Sequence, residues 1–188
     1  MSLADAQSLA IRKLLSKSAY DSNIAPGPPL PKSHPSPALI AKLHLECASL
    51  YSSALSLAKT QSATASSKNK DGDGEVTVDL RRYLGDEVAF HGALARKWLG
   101  VDAGENGRNE KGGEAVGYLG WAKKELEELK DGGKGKALGM GAKGKEGKER
   151  RKEKVLDELD GVNVFLKHYR KLNDSVSLVF PLRRSSGE

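Results

Sequence analysis

"PALIAKLHLECASLYSSALSLAKT", from Pro37 to Thr60, is the clearest amphipathic stretch of the chain. Apolar residues recur in it every three or four positions, the spacing of one face of an α-helix: Leu39, Leu43, Cys47, Leu50, Ala54 and Leu57. Other apolar side chains lie off that stripe: Leu45, Tyr51 and Leu55. The pattern predicts a helix that begins at Pro37, frays near Thr60 and is apolar on more than one side.

Four other segments show the same helical spacing, and helices are predicted over 3–16, 78–99, 114–130 and 148–172. The glycine-rich stretch 100–113 is expected to be a loop. Near the end, Val176, Leu178 and Phe180 alternate with other residues, which predicts a short extended C-terminal tail. Without βαβ alternation, the fold class is predicted as all-α. The expected architecture is an elongated array of packed helical hairpins, a tetratricopeptide-like solenoid without a regular repeat length.

Proline-, serine- and glycine-rich stretches separate the predicted helices. We expect flexible segments at 22–36, 61–75 and 132–147, within one folded unit covering 1–182, followed by a disordered tail at 183–188. No apolar run approaches the length of a membrane span, and the beginning of the chain lacks the pattern of a secretory signal. The sequence therefore favours an intracellular, soluble protein.

The net charge of +6 is located in one segment, Lys130–Lys154. This segment holds ten Lys or Arg and four Asp or Glu, so it contributes the whole excess. One interpretation is a solvated linker that runs into a charged helix. The alternative is a basic helical protein that binds nucleic acid or an acidic membrane through this segment, although no aromatic residue is available there to stack on bases.

No set of residues in the sequence indicates catalysis or metal binding. The stretch "NKDGDGEVTVDL" resembles a calcium loop, but Leu80 occupies the position that requires a bidentate glutamate. Cys47 is the only cysteine, which excludes an internal disulfide, and the four histidines lack the spacing of two ligands on one helix. We therefore expect a binding protein, with no enzymatic activity, metal or cofactor.

Five stretches carry a resemblance to a known family: "LADAQSLAIRKLL" (3–15), "ALIAKLHLECASLY" (38–51), "YLGDEVAFHGALARKWLGVDAGE" (83–105), "GEAVGYLGWAKKELEEL" (113–129) and "VNVFLKHYRKLNDSVSLVFP" (162–181). In this order they are similar to the Bro-type domain, the elongated helical domain of Alix-like proteins. The resemblance covers nearly the whole chain except the Gly/Lys and Ser/Lys linkers. A complete Bro-type domain is much longer, so 1–182 is expected to correspond to its C-terminal half, with the N-terminal half absent.

The resemblance implies a function. It points to a non-enzymatic adaptor of fungal ambient-pH signalling that binds the C-terminal amphipathic helix of an ESCRT-III subunit and supports proteolytic activation of a pH-responsive transcription factor. The implied location is the cytoplasm, with peripheral recruitment to the plasma membrane or endosomes, and no nucleic-acid partner is expected.

The resemblance also implies a partner-binding site. Two positions of the family's apolar groove fall on Leu39 and Leu43, one helical turn apart, a spacing that suits the anchors of a helix-in-groove contact. A third position, usually a bulky aromatic residue, falls on Ala10, with Ile11 beside it. Periodicity alone favours Leu39 and Leu43 as core residues, and the resemblance brings the partner-binding interpretation to about equal weight, so both stay open.

Overall fold

The structure, a computed structural model, describes residues 2–22, 27–65, 78–107, 111–132 and 142–179. It contains the helices α1 (Ser2–Ser22), α2 (Pro37–Ala65), α3 (Val78–Asn106), α4 (Gly112–Gly132) and α5 (Ala142–Val179). No residue in the described ranges forms a strand. The predicted all-α fold class is confirmed.

The helices pack in chain order, α1 on α2, α2 on α3, α3 on α4 and α4 on α5, and α5 also contacts α3. Side-chain contacts give the directions of the helices. The rings of Tyr51 and Tyr83 meet near one end of the α2–α3 pair and those of His44 and His91 further along, so these helices are antiparallel. Helix α3 is therefore covered by α2, α4 and α5.

The predicted end of α3 and the predicted beginning of α4 are both wrong. Helix α3 continues through the expected loop as far as Asn106, and α4 begins at Gly112. The glycines of this stretch do not break the helix because they allow close packing. A Cβ atom on Gly100 would lie 2.8 Å from Leu119 Cγ, and one on Gly104 would overlap the ring of Tyr169. Residues 108–110 lie outside the described residues.

The prediction of an extended C-terminal tail is also wrong for the residues that the structure describes. Helix α5 continues to Val179, and the Ser175 hydroxyl donates a hydrogen bond of 2.8 Å to the Lys171 carbonyl oxygen four residues earlier. An alternation of three apolar residues is too short to override a helix that is already formed. Residues 180–188, including the predicted disordered tail at 183–188, lie outside the described residues.

The expected flexible segments at 22–36, 61–75 and 132–147 are only partly described, and their flexibility stays a prediction. Residues 23–26, 66–77 and 133–141 lie outside the described residues, and α2 runs to Ala65, beyond its predicted end. Residues 27–36 lie against α3. The Leu30 amide donates to Glu105 Oε2 at 3.3 Å, and the His34 ring centroid is 5.3 Å from that of Trp98.

Ion pairs join α5 to α3 beside the apolar core. Lys97 Nζ, which is buried, lies 2.6 Å from Glu158 Oε2, and Lys154 Nζ lies 3.5 Å from Oε2 of the buried Glu87. Each buried charge on α3 therefore has a partner of opposite sign on α5. Such pairing avoids the large free-energy cost of an isolated buried charge and sets how far α5 lies along α3.

Substitution of glycines in α3 tests the close approach of α3 and α4. In Gly100→Ala the new Cβ lies 2.8 Å from Leu119 Cγ and 3.0 Å from the Ala115 carbonyl oxygen, so we expect the free energy of unfolding to fall by about 1–3 kcal/mol. In the control Gly85→Ala the Cβ meets no atom within 4 Å. The better helix propensity of alanine should stabilise that variant by up to about 1 kcal/mol. Urea denaturation measures both, and equal effects would contradict the packing described.

Candidate functional site

The register between α1 and α2 brings the predicted site residues to the same level. Gln7 Nε2 donates to the Leu43 carbonyl oxygen at 3.3 Å and to Glu46 Oε2 at 2.9 Å. Nearer the start of α1, the Tyr51 hydroxyl donates to Asp5 Oδ1 at 2.6 Å. The helices are therefore antiparallel. One turn beyond Gln7, Ala10 is level with the stretch of α2 that carries the predicted anchors.

The four predicted site residues differ in exposure. Ala10 is exposed, Leu39 is 48% exposed, and Leu43 is half-buried and packs against the core. Ile11 is only 2% exposed and belongs to the core together with Ile40. Ala10, Leu39 and Leu43 are called the α1–α2 strip below. Ile11 follows Ala10 in the chain and belongs to the core cluster against which Leu43 packs.

The exposures along α2 separate the residues that pack in the core from those that lie at the surface. The buried face consists of Ile40, Ala41, His44, Cys47, Tyr51 and Ala58. The stripe read from the sequence runs along the border of that face: Cys47 is buried, Leu43 is half-buried, and Leu39 and Leu57 are exposed. Leu39 is therefore not a core residue, while Leu43 takes part in both the core and the surface.

Polar side chains border the α1–α2 strip. Glu46 and Gln7 are joined by their hydrogen bond at one end, and the exposed Lys42 lies on α2 between the two leucines in sequence. An apolar centre with a polar border is the usual composition of a surface that binds an amphipathic helix. The strip is small, because Ala10 supplies only a methyl group where the Bro-type resemblance places an aromatic ring.

A buried histidine pair lies between α2 and α3. His44 Nδ1 and His91 Nδ1 are 2.9 Å apart and share one hydrogen bond, and the side chains are among the most buried polar groups of the described residues. Neither Nε2 atom has a hydrogen-bond partner. The Glu87 carboxylate is nearest to His91, but the distance of 3.7 Å between Glu87 Oε2 and His91 Nε2 is too long for a hydrogen bond. Burial, followed by the neighbouring positive charges, lowers the pKa of His44 to about 3. Burial and Lys154 lower the pKa of His91 to about 4.

Only part of this pair can be anticipated from the spacing of apolar residues. His91 falls on the apolar stripe of α3, which is consistent with its burial, but His44 lies off the stripe of α2. The two residues are 47 positions apart, so spacing along one helix cannot find them. Burial also raises the pKa of the Cys47 thiol to about 11, so this thiol is protonated at neutral pH.

No group of three His, Cys, Asp or Glu side chains in the described ranges is arranged to hold a metal ion. No described helix combines the length and apolarity needed to cross a membrane.

Comparison with known proteins identifies one relative at high similarity. The chain is 42% identical, over 201 residues, to the pH-response regulator protein palC of Cryptococcus neoformans var. neoformans serotype D (strain B-3501A). The alignment takes in 93% of this chain and 41% of the relative, so the chain spans about two fifths of the length of the curated protein it matches. No family model matches the chain, and no solved structure does.

The histidine pair predicts a stability that falls in acid. Because both folded-state pKa values lie below the unfolded value of about 6.5, the unfolded chain binds more protons below that pH. The contribution of the neutral histidine pair to the free energy of unfolding is complete above pH 6.5 and is lost as the pH falls toward 4. Between pH 7.5 and 5.5 the free energy of unfolding should fall by up to about 3 kcal/mol, as measured by urea denaturation. NMR signals of His44 and His91 that titrate near pH 6.5 in the folded protein would contradict this.

Proposed function

We propose that this chain, a homologue of the palC pH-response regulator, is a non-enzymatic adaptor of ambient-pH signalling. The proposal rests on 42% identity over 93% of the chain to a protein whose name describes a regulator of the pH response. An adaptor requires a binding surface and no reacting groups. The Cys47 thiol and the His44–His91 pair are buried, so these groups are not accessible as a nucleophile or a base.

Within this role, the proposed partner is the C-terminal amphipathic helix of an ESCRT-III subunit, bound along the α1–α2 strip. The observation that carries this step is the exposure of Leu39 and Ala10 on the paired helices α1 and α2, with Leu43 half-buried one turn from Leu39 and Ile11 in the core. A leucine that is 48% exposed on a helix whose other face is fully buried adds apolar surface without contributing to the core. The Bro-type resemblance assigns the groove to the same positions.

The proposed consequence of binding is recruitment. By holding an ESCRT-III subunit at the plasma membrane or endosomes, the adaptor would support proteolytic activation of a pH-responsive transcription factor by a separate protease. The chain itself would associate with the membrane peripherally.

The basic segment Lys130–Lys154 gives less support to a nucleic-acid or membrane binder. Arg151 forms an ion pair with Asp86, and Lys154 lies 3.5 Å from Glu87, so these two cations neutralise carboxylates of α3. Charges used in this way are less available to phosphates of a partner. The middle of the segment, 133–141, lies outside the described residues.

The substitution Leu39→Asp tests the strip. Because Leu39 is half-exposed, the variant should keep its helicity and thermal midpoint, yet a charge in the centre of the contact should reduce binding of the ESCRT-III C-terminal helix at least about tenfold. The matched control is Leu45→Asp, at a residue of the same type that is 51% exposed elsewhere on α2. Binding of a labelled peptide is measured by fluorescence anisotropy. Equal affinities of the two variants would remove the site assignment.

Substitution Ala10→Phe tests the same site in the opposite direction. An aromatic ring at this exposed position should enlarge the apolar contact and strengthen peptide binding severalfold, by about 1 kcal/mol. Ala89→Phe, at an exposed alanine of α3, is the control and should leave the affinity unchanged. A gain in both variants would indicate nonspecific adhesion of the peptide to exposed rings.

A further inference from the structure

A cleft between α4 and the last turns of α5 concentrates positive charge. It has a volume of about 580 Å³, and its lining includes Lys123, Lys167, Arg170, Lys171, Asp174 and Ser175. The four cations of this set are called the basic cleft below. They lie outside Lys130–Lys154, the segment to which the sequence assigns the whole charge excess.

The cations of α5 converge on one side of the helix. On α5, Arg170 and Lys171 follow Lys167 by three and four positions, which places all three on one face of the helix. Lys123 lines the cleft from α4. All three residues of α5 are exposed, and none forms an ion pair with a described residue. Like charges one turn apart repel each other, so this arrangement destabilises the free helix slightly.

Arg151 and Lys154, nearer the N-terminus of α5, show the opposite arrangement. They face Asp86 and Glu87 of α3 and are neutralised. In the cleft, Lys123 has only a distant contact, with its Nζ 3.8 Å from Glu127 Oε1 on its own helix. Asp174 is the one carboxylate among the lining residues. Helix α5 therefore carries neutralised cations where it meets α3 and un-neutralised cations where it borders the cleft.

We infer that the basic cleft binds a small, multiply phosphorylated anion. Its volume falls within the roughly 300–1,000 Å³ of small-molecule sites, which favours a compact ligand over an extended polymer. The lining of α5 from Asn163 to Ser175 extends over about 18 Å, longer than one phosphate group, so a ligand with several phosphates can reach several cations. The guanidinium of Arg170 suits a phosphate in a bidentate contact, and the lysines add point charges.

Asp174 places a negative charge at one end of the cleft. Its carboxylate lies one turn beyond Arg170 on α5 and would repel an anion at that end of the cleft. The phosphates are therefore expected to sit between Lys123, Lys167 and Arg170. Both a free inositol phosphate and the headgroup of a phosphoinositide lipid present this chemistry, and the experiment below distinguishes the two sources.

The test uses the full chain and inositol hexakisphosphate as the soluble probe, measured by isothermal titration calorimetry at two salt concentrations. The variant Arg170→Ala/Lys171→Ala removes two exposed cations and should lower the affinity about tenfold or more. The control Arg82→Ala/Lys152→Ala removes the same charge from exposed positions outside the lining and should retain nearly full affinity. Circular dichroism checks that all variants keep their helicity.

Equal losses of affinity in the two double variants would overturn the site, because the binding would then follow net charge alone. Vesicle co-sedimentation identifies the source of the phosphates. Selective sedimentation with phosphatidylinositol 4,5-bisphosphate vesicles, lost in Arg170→Ala/Lys171→Ala, supports the cleft with a lipid ligand. Binding of the soluble probe without vesicle binding supports it with a soluble ligand. Equal sedimentation with phosphatidylserine vesicles, or stronger binding of an oligoglutamate peptide than of the soluble probe, would overturn it.

Discussion

Helix α3 packs against α2, α4 and α5 at once, and this crowding constrains the rest of the chain. A helix covered on three sides cannot have a wide polar face. Small residues of α3 let the neighbouring helices approach closely: Ala93, Ala95, Gly100, Ala103 and Gly104. Leu119 of α4 and Tyr169 of α5 occupy the space that side chains on the two glycines would need. The end of α3 is therefore helical because its glycines are packed, although glycine alone disfavours a helix.

The polar residues that α3 buries decide which neighbours fit beside it. Glu87, His91 and Lys97 have their partners on different helices: Lys154 and Glu158 on α5, and His44 on α2. A shift of α5 by one residue would separate both ion pairs and leave charges buried without partners, which costs more free energy than the pairs contribute. Because the histidine pair is neutral when folded, α2 is held through a contact that acid weakens.

The sequence predicts the helices well because their apolar spacing is a local property, and it fails where packing between helices decides the outcome. The predicted loop at 100–113 is rich in glycine, yet α3 continues to Asn106, and the packing of Leu119 and Tyr169 against Gly100 and Gly104 is not visible in the sequence. For the site, spacing puts Leu39 and Leu43 on one stripe. It does not show that the buried face of α2 is rotated toward Ile40 and His44, and this rotation leaves Leu39 half-exposed.

The positions of the two proposed surfaces have a consequence for how they would work together. The α1–α2 strip and the basic cleft are built from separate helices, and α3 lies between the two pairs, contacting α2 on one side and α4 and α5 on the other. A helical partner on the strip and an anion in the cleft would therefore share no residue and could bind at the same time. Ion pairs and close packing hold α3 to its neighbours, so the fold would set the distance between the two proposed surfaces. An adaptor that holds a protein partner near a phosphate-bearing surface needs such a spacing.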